Sequence, residues 1–284
     1  MLQNRASFEG VKLLACPVCD RPLSLVSAAL QCERDHSFDI AREGYVHLLS
    51  SKHPGDVKEM LRARRAFLEA GFYQPLSDAI NAGILRHLES LPNLPTLLDA
   101  GCGEGYYLGR LQECLVDKFP HMLVGIDISK EAIRMAAKRY KEALFVVADL
   151  KQRFVLVGSS ISGIVNIFAP RNTTEFARVL IPGGLLLVVI PTSEHLLSLR
   201  ALLGLLTIQE QKEQQVIAQF SEQFVLIESE NIAYPLRLRG EAIEQVVMMT
   251  PNYWHLGDRV SQAMQRLGEV ETGAAFTLLS FNKR

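Results

Sequence analysis

From Thr96 onward the chain alternates short apolar runs with amphipathic stretches. The pattern predicts strands over 96–100, 122–128, 143–148, 161–168 and 184–190. Helices are expected between them over 104–116, 130–141 and 173–180. Strands of this kind, bounded by turn residues and separated by helical periodicity, predict βαβ units. Their near-continuous apolar character predicts a parallel sheet covered on both faces. After Ser193 come helical patterns, then a strand over 224–232, a helix over 241–249 and a terminal strand over 275–281. Upstream, Val57, Met60, Leu61, Arg64, Phe67 and Leu68 follow the i, i+3, i+4, i+7 rule, with Gly71 as a stop. A second helical pattern covers 74–88, and a Pro-rich stretch over 91–95 marks a boundary. The first 50 residues lack strong helical periodicity.

This divides the 284 residues into a small N-terminal module over 1–50, a helical connector over 51–93 and an α/β domain over 94–284. Composition adds exclusions. Hydrophobic residues make up 48% and charged residues 21%, enough apolar content for a real core and too much for a disordered chain. The run from Leu185 to Pro191 is short, and the one from Leu196 to Leu206 is broken by Arg200. Neither approaches the roughly 20 residues that cross a bilayer. The charged N-terminus lacks the continuous apolar core of an export signal, so a cytoplasmic location is expected. The net charge is −1. A nucleic acid, if bound, must therefore meet a local basic patch.

Three of the five cysteines fall in the first module. Cys16, Cys19, Cys32 and His36 read C-x2-C-x12-C-x3-H. Zinc takes four tetrahedral ligands, and thiolates with an imidazole supply them. The two- and three-residue gaps let each pair point at one ion. A closed set of four leaves no position for substrate, so the zinc is expected to be structural. A module this small needs such a staple. Iron–sulfur ligation fits less well, because His stands where a fourth thiolate is usual.

A second constellation lies where the first strand of the α/β region meets its helix. Asp99-Ala100-Gly101-Cys102-Gly103-Glu104-Gly105 reads D-x-G-x-G-x-G. Glycines there permit a tight turn and close approach of a ligand. The dinucleotide fingerprint would need Gly at 106, which is Tyr. The pattern instead resembles motif I of class I S-adenosylmethionine-dependent methyltransferases, a Rossmann-like fold with a mostly parallel sheet. Asp127 ends the second strand, where an acid accepts ribose hydroxyls. Asp127 could equally cap the next helix, although Ser129 could serve there. Asp149 ends the third strand, either beside an adenine amine or as a cap. Pro182-Gly183-Gly184 precedes the fifth strand, as in that superfamily.

Taken together, the cysteine module, Ala63 to Leu76 (A-R-R-A-F-L-E-A-G-F-Y-Q-P-L), motif I, Tyr234 to Gly240 (Y-P-L-R-L-R-G) and Met249-Thr250-Pro251 resemble the RlmA family. These are bacterial large-subunit ribosomal RNA guanine-N1 methyltransferases. The resemblance covers nearly the whole chain and is nearer the Gram-negative type, which modifies a guanine in a domain II hairpin; a second type modifies a neighbouring guanine. It implies S-adenosylmethionine as cofactor and a hairpin of 23S ribosomal RNA as partner. It also implies cofactor contacts by Tyr73, Gly103, Glu104 and His195, to which motif I adds Gly101 and the second strand adds Asp127.

The segment 166–170 (N-I-F-A-P) stands where such enzymes place the target base. It is not the N-P-P-Y type used for exocyclic amines, and Phe168 either stacks on a flipped base or packs in the core. Lys52, Lys58, Arg62, Arg64, Arg65, Arg237 and Arg239 are candidate RNA contacts or simply a solvated charged face. Arg64 lies on the apolar face of its helix, either paired internally or aimed at a cleft. The zinc module grips RNA or joins two copies in a homodimer. The alternative function is a small-molecule methyltransferase with a structural zinc module.

Overall fold

In the computed structural model, which describes residues 10–49, 55–88, 94–118, 120–255 and 257–284, side chains along each central strand alternate between two cores. Leu97, Leu123, Phe145, Leu187 and Leu278 enter one core; Leu98, Val124, Val146, Val188 and Leu279 enter the other. A period of two on a sheet buried on both sides produces this division.

The N-terminal module holds three short antiparallel strands, β1 (Ser24–Val26), β2 (Ala29–Gln31) and β3 (Ser37–Asp39), followed by β4 (Val46–His47). Helices α1 (Lys58–Glu69) and α2 (Gln74–Leu88) come next. The α/β region then runs β5 (Thr96–Ala100), α3 (Tyr106–Leu115), β6 (Met122–Asp127), α4 (Lys130–Arg139), β7 (Leu144–Val147), β8 (Ile161–Ile167), α5 (Thr173–Val179) and β9 (Leu180–Pro191). After it come α6 (Leu197–Leu203), α7 (Lys212–Phe220), β10 (Phe224–Arg239), α8 (Glu241–Met248), α9 (Asp258–Arg266) and β11 (Glu269–Lys283). The large sheet has the order β10-β11-β9-β8-β5-β6-β7-β4. Strands β9 through β4 are parallel to one another, and β11 and β10 are antiparallel.

Local sequence sets the helix starts near the cleft. Ser129 caps α4 by accepting from the Ala132 N–H at 3.3 Å. Asn172 caps α5 by accepting from the Glu175 N–H at 3.3 Å. Two strands outrun the sequence pattern. Strand β9 begins at Leu180, because Leu180 pairs with Ile161 before the Pro-Gly-Gly bend. Strand β10 continues beyond Ile232 to Arg239, because β11 starts at Glu269 and pairs with it throughout. There the buried Leu236 and Leu238 alternate with the exposed Arg237 and Arg239.

No helix lies between β7 and β8, where a βαβ unit would carry one. The N-terminal module covers that face instead. The Ala15 N–H donates to the Val155 carbonyl at 2.9 Å and the Val157 N–H to the Leu13 carbonyl at 2.8 Å. Val11, Leu14, Leu23 and Leu30 share one core with Val124, Val146 and Leu156. Strand β4 extends the large sheet by pairing with β7. On the opposite face, Phe67 of α1 and Leu76, Ile80 and Ile84 of α2 pack in the other core with α3. Among the described residues no helix is long and apolar enough to cross a membrane.

Candidate functional site

The four expected metal ligands converge. The donor atoms of Cys16, Cys19, Cys32 and His36 all lie within 4.8 Å of one another. Cys16 Sγ is 3.6 Å and Cys32 Sγ 3.3 Å from His36 Nδ1, and the Cys19 and Cys32 sulfurs are 3.6 Å apart. A tetrahedral zinc with Zn–S of about 2.3 Å and Zn–N of about 2.0–2.1 Å needs donor spacings of this size. The loops are built for it. The Val18 N–H points at Cys16 Sγ at 3.4 Å, and Asp20 and Asp35 take left-handed conformations that close the two ligand turns. Burial raises the Cys32 thiol, but the backbone N–H groups of Arg34 and His36 together with the Cys19 and His36 side chains bring it down to about 6. The thiolate that zinc requires is thus favoured beforehand at Cys32, whereas burial raises the Cys16 thiol.

The second site is a cavity of about 1290 Å³ at the C-terminal ends of β5, β6, β7, β8 and β9. Tyr73, Gly101, Gly103, Glu104, Asp127 and His195 all line it. The loop after β5 has three left-handed glycines, Gly101 (φ +95), Gly103 (φ +54) and Gly105 (φ +88). A Cβ at Gly101 would fall 2.3 Å from the Ala169 methyl, so the loop can approach β8 only as glycine. The Asp127 carboxylate accepts from the Gly103 N–H at 3.0 Å and the Ser129 N–H at 2.8 Å. Ser129 is the helix cap, so Asp127 is free of that duty. Burial raises the Asp127 carboxyl, and the two N–H groups oppose the rise. Gly55 passes so close to Ser129 that a Cβ there would fall 2.7 Å from the Ser129 Cβ. The segment leading into α1 therefore forms a wall of the cavity beside Asp127.

Glu104 is 2% exposed and accepts from Arg65 Nε at 3.1 Å and Nη2 at 3.0 Å. His195 is buried and held on both nitrogens. Its Nδ1 accepts from the Ala275 N–H at 3.2 Å, so the proton sits on Nε2, which donates to the Tyr73 hydroxyl oxygen at 3.1 Å. Burial and the charges of Arg200 and Lys212 push His195 down to about 3, so it is neutral. The Tyr73 hydroxyl proton is left for another acceptor. Arg200 pins the turn by donating to the carbonyls of His195 and Ser193.

Asp99 and Tyr107 carry the signal that sequence reading passed over. Both Asp99 oxygens are buried without a partner, and so is the Tyr107 hydroxyl on the cavity wall. Burial, then the charges of Asp127 and Glu104, push Asp99 up to about 8. A cationic ligand above the glycine loop would supply the missing positive charge. The glycine cradle and these orphaned groups fit S-adenosylmethionine, which carries a sulfonium and an ammonium.

Phe168 is not core. It is 45% exposed, has φ +53, and leans on Phe276 with ring centres 5.5 Å apart. A left-handed aromatic residue is strained by about 1–2 kcal/mol, and here the strain accompanies a ring presented to the cavity. Trp254, 59% exposed, lines the same mouth. Asp149 lines the cavity while accepting from the Lys151 N–H at 2.8 Å.

Several RNA-contact candidates have protein partners instead. Arg64 lines the cavity, pairs with Asp56 at 2.6 Å and donates to the Met249 carbonyl at 3.2 Å. It is thus both paired and at the cleft. Arg65 is committed to Glu104, and Arg237 and Arg239 pair with Glu271 and Glu269. Lys58 and Arg62 are exposed, and Lys52 lies outside the described residues.

Fold and site define a class I S-adenosylmethionine-dependent methyltransferase. Residues 97–184 match the profile described as a methyltransferase domain, and residues 14–54 match the zinc ribbon described as the RlmA N-terminal region. A 23S rRNA (guanine(748)-N(1))-methyltransferase of Streptomyces fradiae is 36% identical over 94% of this chain and 96% of its own length. A protein of Bacillus subtilis with the provisional name 23S rRNA (guanine-N(1)-)-methyltransferase is 34% identical over 88% of this chain and 90% of its own. A chain in the solved complex of the Haloferax volcanii Trm112 methyltransferase activator with a methyltransferase shares the fold, with a TM-score of 0.50 at 17% identity, covering 81% of this chain and 99% of that one. The chain belongs to the RlmA family of zinc-ribbon methyltransferases.

Proposed function

We propose that the protein transfers a methyl group from S-adenosylmethionine to N1 of one guanine in a hairpin loop of 23S ribosomal RNA. The observation that carries this is 36% identity along 94% of the chain to a relative named for that reaction. Intact zinc ligands and an intact glycine loop support it. Residues 1–50 serve recognition, 51–93 connect, and 94–284 catalyse, in the cytoplasm.

The cofactor supplies a methyl group on a sulfonium. Asp127 accepts the ribose hydroxyls, and Gly101 and Gly103 let the backbone close on the cofactor. Tyr73, oriented by neutral His195, offers its hydroxyl proton to the methionine carboxylate. Glu104, steadied by Arg65, borders the same end. The N1–C bond would form as the donor's S–C bond breaks and S-adenosylhomocysteine leaves, with the N1 proton passing to solvent; the enzyme's main work is alignment of the two reactants. N1 lies on the pairing edge, so the base must leave its stack. Phe168 then stacks on it.

A methyl at N1 blocks pairing, so reverse transcriptase stops one nucleotide before it. The stop should vanish in a deletion strain and return when purified enzyme and cofactor treat deproteinised RNA. The relative is named for guanine 748, whereas the motif resemblance leans to the type acting on a neighbouring guanine; the mapped stop decides between them. A stop that persists in the deletion strain, with no labelling of RNA, transfers the activity to a small-molecule substrate.

A further inference from the structure

Arg171 and Lys212 stand apart from the other half-buried cations near the cavity. Arg171 follows Phe168-Ala169-Pro170 at the end of β8, and Lys212 opens α7. Both are half-buried and both line the large cavity. Arg64, which also lines it, is matched by Asp56, and the buried Arg200 is spent on the carbonyls of His195 and Ser193. Among the described residues no carboxylate pairs with Arg171 or Lys212. Arg171 gives Nε to Gln219 Oε1 at 3.2 Å, and among the described residues Lys212 meets no acceptor. The adjacent Glu213 accepts from Ser229 Oγ at 2.7 Å instead. Gln219 belongs to α7, the helix that Lys212 opens, so the Arg171–Gln219 bond ties both cations to one wall of the cavity; burial lowers both groups. Like charges held partly out of water without a counter-charge destabilise the free protein. An anion arriving from solvent relieves that cost.

The position selects the anion. In the sheet, β6 and β8 flank β5 on opposite sides, so Arg171 lies across the glycine loop from Asp127 and next to Phe168. This puts Arg171 on the side for the incoming base and away from the cofactor's ribose, while Lys212, whose charge also reaches His195, stands between that side and the methionine end. A guanidinium holds a phosphate through two parallel N–H bonds, and an ammonium adds a point charge.

Resting on the function proposed above, we propose that Arg171 and Lys212 clamp an RNA backbone phosphate beside the guanine whose base enters the cavity. The contact supplies affinity and register without reading sequence. It fixes the nucleotide's backbone while Phe168 holds the base.

The test uses full-length protein and deproteinised 23S RNA from a strain lacking the enzyme. Arg171→Gln and Lys212→Gln should each weaken RNA binding about tenfold. The double variant should lower the slope of log affinity against log salt by about one, the value of one lost phosphate contact. Affinity for S-adenosylhomocysteine, measured by calorimetry, should stay within twofold. Arg171→Lys and Lys212→Arg keep the charge and should keep the salt slope, which guards against a folding artefact. Wild-type RNA affinity and slope in the double variant would overturn the clamp. So would an equal loss of S-adenosylhomocysteine affinity, since the cations would then serve the cofactor's carboxylate. Wild-type enzyme that labels this RNA while the double variant binds normally refutes the clamp alone. Wild-type enzyme that labels no RNA refutes the reading beneath it.

Discussion

The zinc ribbon and the cofactor cleft solve opposite problems. In the ribbon, four donors from one short stretch face a single point and are complete with one ion. In the cleft, groups from α3 and the ends of five strands face a space of about 1290 Å³ and remain incomplete: the Tyr107 hydroxyl on its wall has no partner, nor has the carboxyl of Asp99, buried at the base of the glycine loop. A closed donor set stabilises, whereas an open one is ready to bind. The difference also decides what can be removed without loss of the fold. The ribbon replaces the missing crossover helix between β7 and β8 and shares a core with the sheet, so it is part of the catalytic domain's framework.

That claim carries the largest expected effect. Cys32→Ala should drop bound zinc below half an equivalent by elemental analysis. Structural zinc is worth on the order of 10 kcal/mol in small modules. With a shared core the whole chain should feel the loss, with the melting temperature falling by more than about 10 °C and cofactor binding failing with it. A ribbon that unfolds alone, leaving cofactor affinity intact, would break the comparison.

In the cleft, single residues should matter for binding and little for folding. Asp127→Ala should weaken cofactor binding by about 1.5–3 kcal/mol, the scale of a hydrogen bond to a charged group. Unchanged affinity by calorimetry would remove Asp127 from the site.

A slope with pH should follow from Asp99. Its folded-state value, about 8, lies far above the ordinary 3.8. Between these values the unfolded chain has released the proton and the folded chain has kept it. Stability of the cofactor-free protein should therefore fall as pH rises from about 4 to 8, and Asp99→Asn should flatten the slope in denaturant titrations. The smallest change is Tyr73→Phe, which removes the hydroxyl held by His195. It should cost about 0.5–1.5 kcal/mol of cofactor affinity, and the His195 N–H left unpaired in the interior should lower the melting temperature by a few degrees.

The comparison also marks where sequence reading succeeds. Zinc ligands separated by short gaps are legible from spacing, because a turn brings them together. The glycine loop is legible because backbone geometry demands glycine at Gly101. Helix α2 and strand β5 match the expected spans, since each is strongly periodic or uniformly apolar. Tyr73 and His195 are 122 residues apart, and no local pattern joins them; the family resemblance named them. Arg64 on an apolar helix face predicts an internal pair or a place at a cleft, but Asp56 becomes its partner only through the path of the segment before α1. Arg171 and Lys212 gave no signal at all, because an unpaired cation is recognised only once every neighbouring carboxylate is known to be elsewhere.

The site of methylation is most directly tested by mass spectrometry of nucleosides. Deproteinised 23S RNA from a deletion strain would be treated with purified enzyme and isotopically labelled S-adenosylmethionine, then digested. The predicted product is 1-methylguanosine, at about one per RNA molecule if the guanine is unique. Label in 2-methylguanosine or 7-methylguanosine, or no label in RNA, would contradict transfer to guanine N1.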